Sequence, residues 1–400
     1  MRITCFLLLL LGNGASAQTR MIVVGNVYDA KSREPLAFAT ISLANHIDQT
    51  ITNAKGHFEL SVPAEYESDT LRVTFIGYQP ALRPIANRKS VEDFYLEESA
   101  TLLDEITVVH RKLNLRDIDH SVKKIRGNLY VMDKEVTNGE YNSFLGNLEE
   151  YNKKELHRKC DFDLSGYADS EKEFFRRYSS PFREGNDSVA GYREYPAVNV
   201  PYEGAVEFCA WLTDQYNSNT KKKKFKKVKF RLPTIKEWQI AALGYADFQT
   251  WDVGENMIEL VFSPDTMDIL PKRGQKRTVK VNDEVLYPWF IANYYRKKPY
   301  NNFNCYLGNF KITQVAKVCA TNPPGYDYYI MMGKTGGYFP NQMGVYDMSG
   351  NVAEMIDTKG KACGGSWDDL PEDATIYSVK NYSRPSGSVG FRVFMEVLEE

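Results

Sequence analysis

Gly344-Val-Tyr-Asp-Met-Ser-Gly-Asn-Val-Ala-Glu354, followed closely by Gly364-Gly-Ser-Trp367, is the stretch around which the chain is organised. Asp347 and Glu354 bracket a Gly-Asn turn, and Gly350 permits backbone angles that other residues resist. A tight turn aims main-chain carbonyls the same way as flanking carboxylates. Carboxylate and carbonyl oxygens together suit a hard cation such as Ca²⁺. The same spacing serves two carboxylates that merely accept hydrogen bonds from turn amides. Spacing alone leaves both readings open.

Working outward, 400 residues exceed one small domain and suit two or three. A net charge of -2 argues against a general nucleic-acid binder. Residues 1–17 read as a secretory signal peptide: Arg2, a short apolar run through Leu11, and the cleavage site Ala15-Ser16-Ala17. The chain is therefore expected to be exported with Gln18 first, to the periplasm, the outer membrane or the cell surface. No later segment is long and apolar enough to span a bilayer. The five remaining cysteines, Cys160, Cys209, Cys305, Cys319 and Cys363, show no C-x-x-C pair and are expected to be mainly structural.

Residues 20–109 read as all-β, with alternating runs at Met21–Tyr28, Phe38–Leu43, His57–Leu60 and Leu71–Tyr78 broken by turns such as Asn53–Gly56. Short strands at this spacing suggest a sandwich. The pattern Gly25, Asp29, Pro35-Leu36, Ala39-Thr-Ile41, Asn53, Gly56, Phe58, Gly77-Tyr78 and Leu103–Val109 resembles the carboxypeptidase-regulatory-like, or transthyretin-like, domain. That domain is common in outer-membrane receptors and surface proteins of the Bacteroidota. The resemblance implies an accessory module, and nothing in the segment pairs a nucleophile with a base. Residues 110–126 are charged, lack a clean period and read as a linker or short helix.

From Leu129 the texture turns to mixed α and β with long irregular stretches. Thr137 with Glu140, and Thr234 with Glu237, have the spacing of capping boxes that open helices. Ala205, Phe208, Cys209 and Leu212 recur at helical spacing and predict a buried face. The run Lys221–Lys229 could meet an anionic surface, but Val228 and Phe230 alternate with Lys229 and Arg231, as on the outer face of a strand.

Eight blocks in order carry a second resemblance: Asp133–Tyr141, Tyr195–Tyr202, Arg231–Trp238, Tyr287-Pro-Trp289, Asn304-Cys305 with Gly308-Asn309, Phe339–Glu354, Gly364–Trp367 and Gly390-Phe-Arg392. Together they resemble the formylglycine-generating enzyme, or sulfatase-modifying factor, family. The implied architecture is multidomain α+β: a transthyretin-like β-sandwich, then a decorated C-type-lectin-like domain over 127–397. The resemblance also implies two structural calcium sites. One would use the Asp347 and Glu354 side chains with the Gly350 and Val352 carbonyls. The other would use Asn304, the Cys305 carbonyl, Asp327 and the Tyr329 carbonyl.

The family's enzymes hold copper(I) on two cysteines just beyond the Gly-Gly-Ser block and oxidise a substrate cysteine with O₂. Asp369 and Ala374 stand at those positions here, and no cysteine follows Cys363. Carboxylates do not replace thiolates for Cu(I), so copper and the known reaction are not expected. Iron-dependent relatives draw histidines from a helical domain, and no histidine follows His157. The favoured expectation is a non-catalytic binding or structural protein of the envelope, of the sort found in gliding and type IX secretion. Its partner would be an envelope protein or glycan, met in a groove near Trp289, Tyr306, Trp367 and Arg384. The rival expectation is an oxidoreductase of altered chemistry using the Asp368, Asp369, Glu372 and Asp373 cluster.

Overall fold

A computed structural model describes residues 20–44, 46, 49–85, 91–99, 115–179, 192–220, 223–244, 249–252, 257–261, 276–280, 287–288, 299–300, 306–311 and 331–400. The chain divides into two compact units, Met1–Phe75 with Gln79–Glu97, and Ile76–Tyr78 with Glu98–Glu400.

The first unit is made of strands. They are β1 (Arg20–Asp29), β2 (Thr40–Leu43), β3 (Gln49–Ile51), β4 (His57–Pro63), β5 (Thr70–Thr74), β6 (Ala81–Pro84) and β7 (Val91–Leu96). One sheet has the order β4-β1-β7 and the other β3-β2-β5-β6. Period-2 alternation places Met21, Val23 and Val27 of β1 on its buried face, as it does Phe58, Leu60 and Val62 of β4. The turn before β4 needs glycine, because Gly56 has φ +74° and a Cβ there would lie 2.6 Å from the Val27 carbonyl. The Leu103–Val109 block lies outside the described residues.

The second unit opens with α1 (Leu115–Ser121), β8 (Val122–Arg126) and β9 (Leu129–Met132). The segment read as a linker or short helix, 110–126, thus carries a helix and also a strand from Leu115 onward. Among its charged residues, Ile118, Val122 and Ile125 are buried in the core. Next come α2 (Asn138–Glu150), α3 (Lys154–Cys160), α4 (Asp169–Ser179), α5 (Tyr202–Ser218), β10 (Lys227–Arg231) and α6 (Ile235–Leu243). Three strands, β11 (Gln249–Asp252), β12 (Met257–Val261) and β13 (Lys276–Lys280), form a small antiparallel sheet. The chain closes with β14 (Ala353–Met355), β15 (Lys361–Cys363), β16 (Val379–Asn381), β17 (Val389–Phe391) and β18 (Phe394–Glu399).

Two four-stranded sheets, β10-β18-β9-β8 and β16-β15-β14-β17, carry the core of this unit. Tyr141 and Phe144 of α2 meet Phe208 of α5 and Phe391 of β17 in one aromatic cluster, with ring centroids 5.5–6.0 Å apart. In β10, Val228 and Phe230 point in, while Lys227 and Lys229 face solvent opposite Glu399 and Glu396. The outer edge of β10 is closed by α5: Asn217 Oδ1 and Thr213 Oγ1 accept from the Val228 and Phe230 amides, each at 2.9 Å. Covering an edge in this way removes a template for strand addition.

Both capping boxes form, at Thr137 with Glu140 and at Thr234 with Glu237. Glu237 also takes a two-pronged ion pair from Arg231 at 2.7 Å. Burial pushes the Glu237 carboxyl up, but the Arg231 bonds outweigh it and hold the group below its ordinary 4.5. The unfolded chain binds that proton more readily. The pair therefore stabilises the fold above about pH 4.5, and its contribution fades as pH falls through the lower folded value. Removing the cap with Thr234→Ala should cost about 1 kcal/mol. All five tryptophans lie beyond residue 200, so urea unfolding followed by their fluorescence reports this loss for the second unit alone.

Candidate functional site

The turn at 344–354 is built on left-handed backbone. Gly344, Asp347, Gly350 and Asn351 all have positive φ, between 56° and 81°. Asparagine and aspartate tolerate that region better than most residues. Gly350 is required for a second reason, since a Cβ there would sit 2.3 Å from the Asn309 carbonyl. Main-chain bonds then lock the turn: Gly350 N–H to Gly364 O, Asn351 N–H to Asn309 O and Trp367 N–H to Asn351 O, each 2.9 Å. The Asn351 side chain is a hub. Its Oδ1 accepts from the Gly333 amide at 2.8 Å and its Nδ2 donates to Glu135 Oε1 at 2.9 Å.

Beneath the turn lies a buried charge cluster. Glu354 and Arg392 are both 0% exposed. Arg392 Nε donates to both Glu354 oxygens at 3.0 Å, and Nη2 donates to Oε1 at 2.7 Å. The Trp238 indole adds a bond to Glu354 Oε2 at 2.6 Å. Remaining guanidinium hydrogens reach the Met132 carbonyl at 3.0 Å and the Tyr346 carbonyl at 2.6 Å. Burial alone would lower the Arg392 pKa, but the charge and hydrogen bonds of Glu354, with the charges of Glu135 and Asp347, together outweigh it and hold the group above its ordinary value. Two further carboxylates are buried nearby. Asp347 Oδ2 accepts from the Gly336 amide, while Asp347 Oδ1 and Glu135 Oε2 have no hydrogen-bond partner. Burial first, and the Asp347 charge second, push the Glu135 carboxyl well above the usual range. Burial also raises Asp347, against the pull of the Gly336 amide and Arg392.

Beyond the Gly-Gly-Ser block, the side chains at 369 and 374 are both engaged. Lys380 Nζ reaches the two Asp369 oxygens at 2.9 and 2.8 Å, and Ser366 Oγ donates to Oδ2 at 2.5 Å. Ala374 is fully buried with Tyr287, Leu307 and Phe310. Its methyl fills the space over Gly365, where an added Cβ would come within 2.5 Å.

The family model for the sulfatase-modifying factor enzyme 1-like domain matches residues 104–397. The chain belongs to this sulfatase-modifying factor family. A second model, the CarboxypepD_reg-like domain, matches residues 23–108. Among curated proteins, a 111-residue stretch is 30% identical to the TonB-dependent receptor SusC of Bacteroides thetaiotaomicron. That match covers 28% of this chain and a tenth of the receptor's length. Similar solved structures include CarF (19% identity, 67% of this chain and 86% of that one, TM-score 0.34). PvdO from Pseudomonas aeruginosa is another (15% identity, 67% and 80%, TM-score 0.36).

The residues that the family resemblance offers to calcium at the first site do not fit that role. Both Glu354 oxygens already accept from Arg392, with the Trp238 indole on Oε2 as well, and a cation there would stand against a buried guanidinium. Among the described residues, no group of three or more His, Cys, Asp or Glu side chains is placed to hold a metal ion. The second set, Asn304, Cys305, Asp327 and Tyr329, lies outside the described residues, as does Trp289. Cys363 is buried, and burial with the Glu354 charge pushes its thiol up to about 12, so it stays protonated and a poor copper ligand. Cys160 and Cys209 are buried free thiols as well.

The acidic cluster at 368–373 is dispersed: Asp368 pairs with Lys311 at 2.8 Å, Asp369 with Lys380, and Glu372 and Asp373 are exposed. Tyr306 and Trp367 are half-buried and Arg384 is exposed, with the Trp367 indole bonded to the Gly387 carbonyl at 3.0 Å. Reading the sequence alone missed the roles of Glu135, Trp238 and Arg392. All three sit inside the ordered family blocks, and that placement is the signal that could have found them.

Trp238→Phe keeps the ring but removes the donor to Glu354. An unpaired buried carboxylate lone pair should cost about 1–3 kcal/mol, measured as a lower urea midpoint.

Proposed function

We propose that this chain is a non-catalytic binding or structural component of the cell envelope, built on a sulfatase-modifying factor scaffold. The observation that carries the reading is the state of the two positions where the enzymes keep thiolates. Asp369 is held by Lys380 and Ser366, and Ala374 is sealed beneath aromatic rings. Neither side chain is a soft ligand, and Cu(I) needs soft ligands. Export is supported by the amino-terminal sequence, and an envelope location by the carboxypeptidase-regulatory-like module with its likeness to part of a TonB-dependent receptor. No described helix is long and apolar enough to cross a membrane. In this reading the first unit is a transthyretin-like sandwich and the second a C-type-lectin-like domain that presents loops to an envelope protein or glycan.

The test is oxygen uptake and copper content of the purified mature chain, supplied with Cu(I) and a cysteine-containing peptide. The expected result is no uptake above the protein-free control and no bound copper. Stoichiometric copper with formylglycine in the peptide would overturn the proposal. A companion outcome concerns packing. Ala374→Cys must fit a sulfur at a fully buried position packed against Gly365, so it should destabilise the unit by about 1–3 kcal/mol, read by urea denaturation.

A further inference from the structure

We propose that the Arg392 guanidinium, not a divalent cation, is the counter-charge that holds the Gly344–Glu354 turn. The proposal concerns how the scaffold is held and does not depend on whether the chain is catalytic.

Glu354 is the carboxylate that decides the matter. It is fully buried, and its two oxygens receive three contacts from Arg392 and one from Trp238, at 2.6 to 3.0 Å. Three N–H groups point at this carboxylate, the Arg392 Nε–H being shared between its two oxygens, so most of its roughly four lone-pair directions are used. Calcium takes six to eight oxygens at short range. The unpartnered side-chain oxygens in and beside the turn are Asp347 Oδ1, Ser349 Oγ and Glu135 Oε2, and the Asp347 and Glu135 carboxyls lie within hydrogen-bonding reach of one another. With Glu354 committed to Arg392, these side chains fall short of that coordination. The guanidinium also does mechanically what a structural cation would do. It bonds the Tyr346 carbonyl inside the turn, Glu354 at its far end and the Met132 carbonyl at the end of β9. One rigid, planar, permanently charged group therefore ties the turn to both large sheets.

The experiment uses the full mature chain, with tryptophan fluorescence following thermal unfolding of the second unit and elemental analysis measuring bound metal. In an Asp327→Ala chain, which disables the other calcium set the resemblance implies, EDTA should leave Tm unchanged, added Ca²⁺ should not raise it, and the protein should purify without stoichiometric calcium. Arg392→Met should lower Tm by on the order of 10 °C, because one buried charge is left without its partner. Glu354→Gln combined with Arg392→Met should recover part of that loss, since the orphan charge is gone. A fall in Tm with EDTA in the Asp327→Ala chain that Ca²⁺ reverses would overturn the proposal, including a fall caused by an ion lodged between Asp347 and Glu135. So would an Arg392→Met variant with unaltered Tm. Should Arg392→Met fail to fold, the chelator and metal measurements on the Asp327→Ala chain decide the question.

Discussion

The ion pair between Arg392 and Glu354 is the constraint on which the second unit depends. Both groups are fully buried. Taking two charges out of water costs several kcal/mol per ion, and the cost is offset only where geometry is good and remaining hydrogen-bonding capacity is filled. Here it is filled, by Trp238, Met132 and Tyr346. The pair joins residues that are distant in sequence: α6 brings Trp238, β14 brings Glu354, and Arg392 sits between β17 and β18. A fully satisfied network of this sort rejects small displacements, because any shift strands a charge in low dielectric. That demand fixes β14, α6 and the start of β18 in one arrangement more firmly than apolar packing would.

The irregular backbone around the pair follows from the same demand. Residues 331–352 contain no strand or helix, yet most of them are half-buried or buried. Such a loop must satisfy its polar main chain by other means. Asn351 does much of this, bonding the Gly333 amide, the Asn309 side chain and Glu135 through one amide group. Asn341 does the same nearby, accepting from the Val345 amide and donating to the Ala241 carbonyl at the end of α6. Left-handed residues let the chain reverse sharply enough to present these groups. The turn is therefore ordered by side-chain amides and one guanidinium where a sheet would use a ladder.

How far this was legible in the sequence depended on range. Thr137 and Glu140, or Thr234 and Glu237, are three residues apart, so a capping box is visible as a local pattern. The alternation of Lys227, Val228, Lys229 and Phe230 is equally local, and both readings match the structure. The reading of 110–126 as a linker or short helix missed the strand β8, because six lysines and arginines between Arg111 and Arg126 masked the apolar residues Ile118, Val122 and Ile125 that enter the core. The charge cluster was illegible for a different reason. Trp238 and Glu354 are separated by 116 positions, and Glu135 and Asn351 by 216. No period or spacing rule links residues that far apart. Only the ordered blocks hinted that they share a site, and the hint named a calcium role for Glu354 that its actual partners leave no room for.

The scaffold and the family chemistry are also separable in physical terms. Ala374 packs with Tyr287, Leu307 and Phe310 in a small cluster of its own, while Trp238, Phe391 and their neighbours belong to the two large cores. Asp369 is neutralised locally by Lys380, hydrogen-bonded by Ser366, and among the described residues shares no side-chain bond partner with Glu354 or Arg392. Substitutions at distant sites with no shared partners act nearly additively. The side chains at 369 and 374 can therefore change without disturbing the Arg392 network, whatever packing cost they meet in their own small cluster. Family membership then speaks for the frame, and the side chains at those two positions speak for the chemistry.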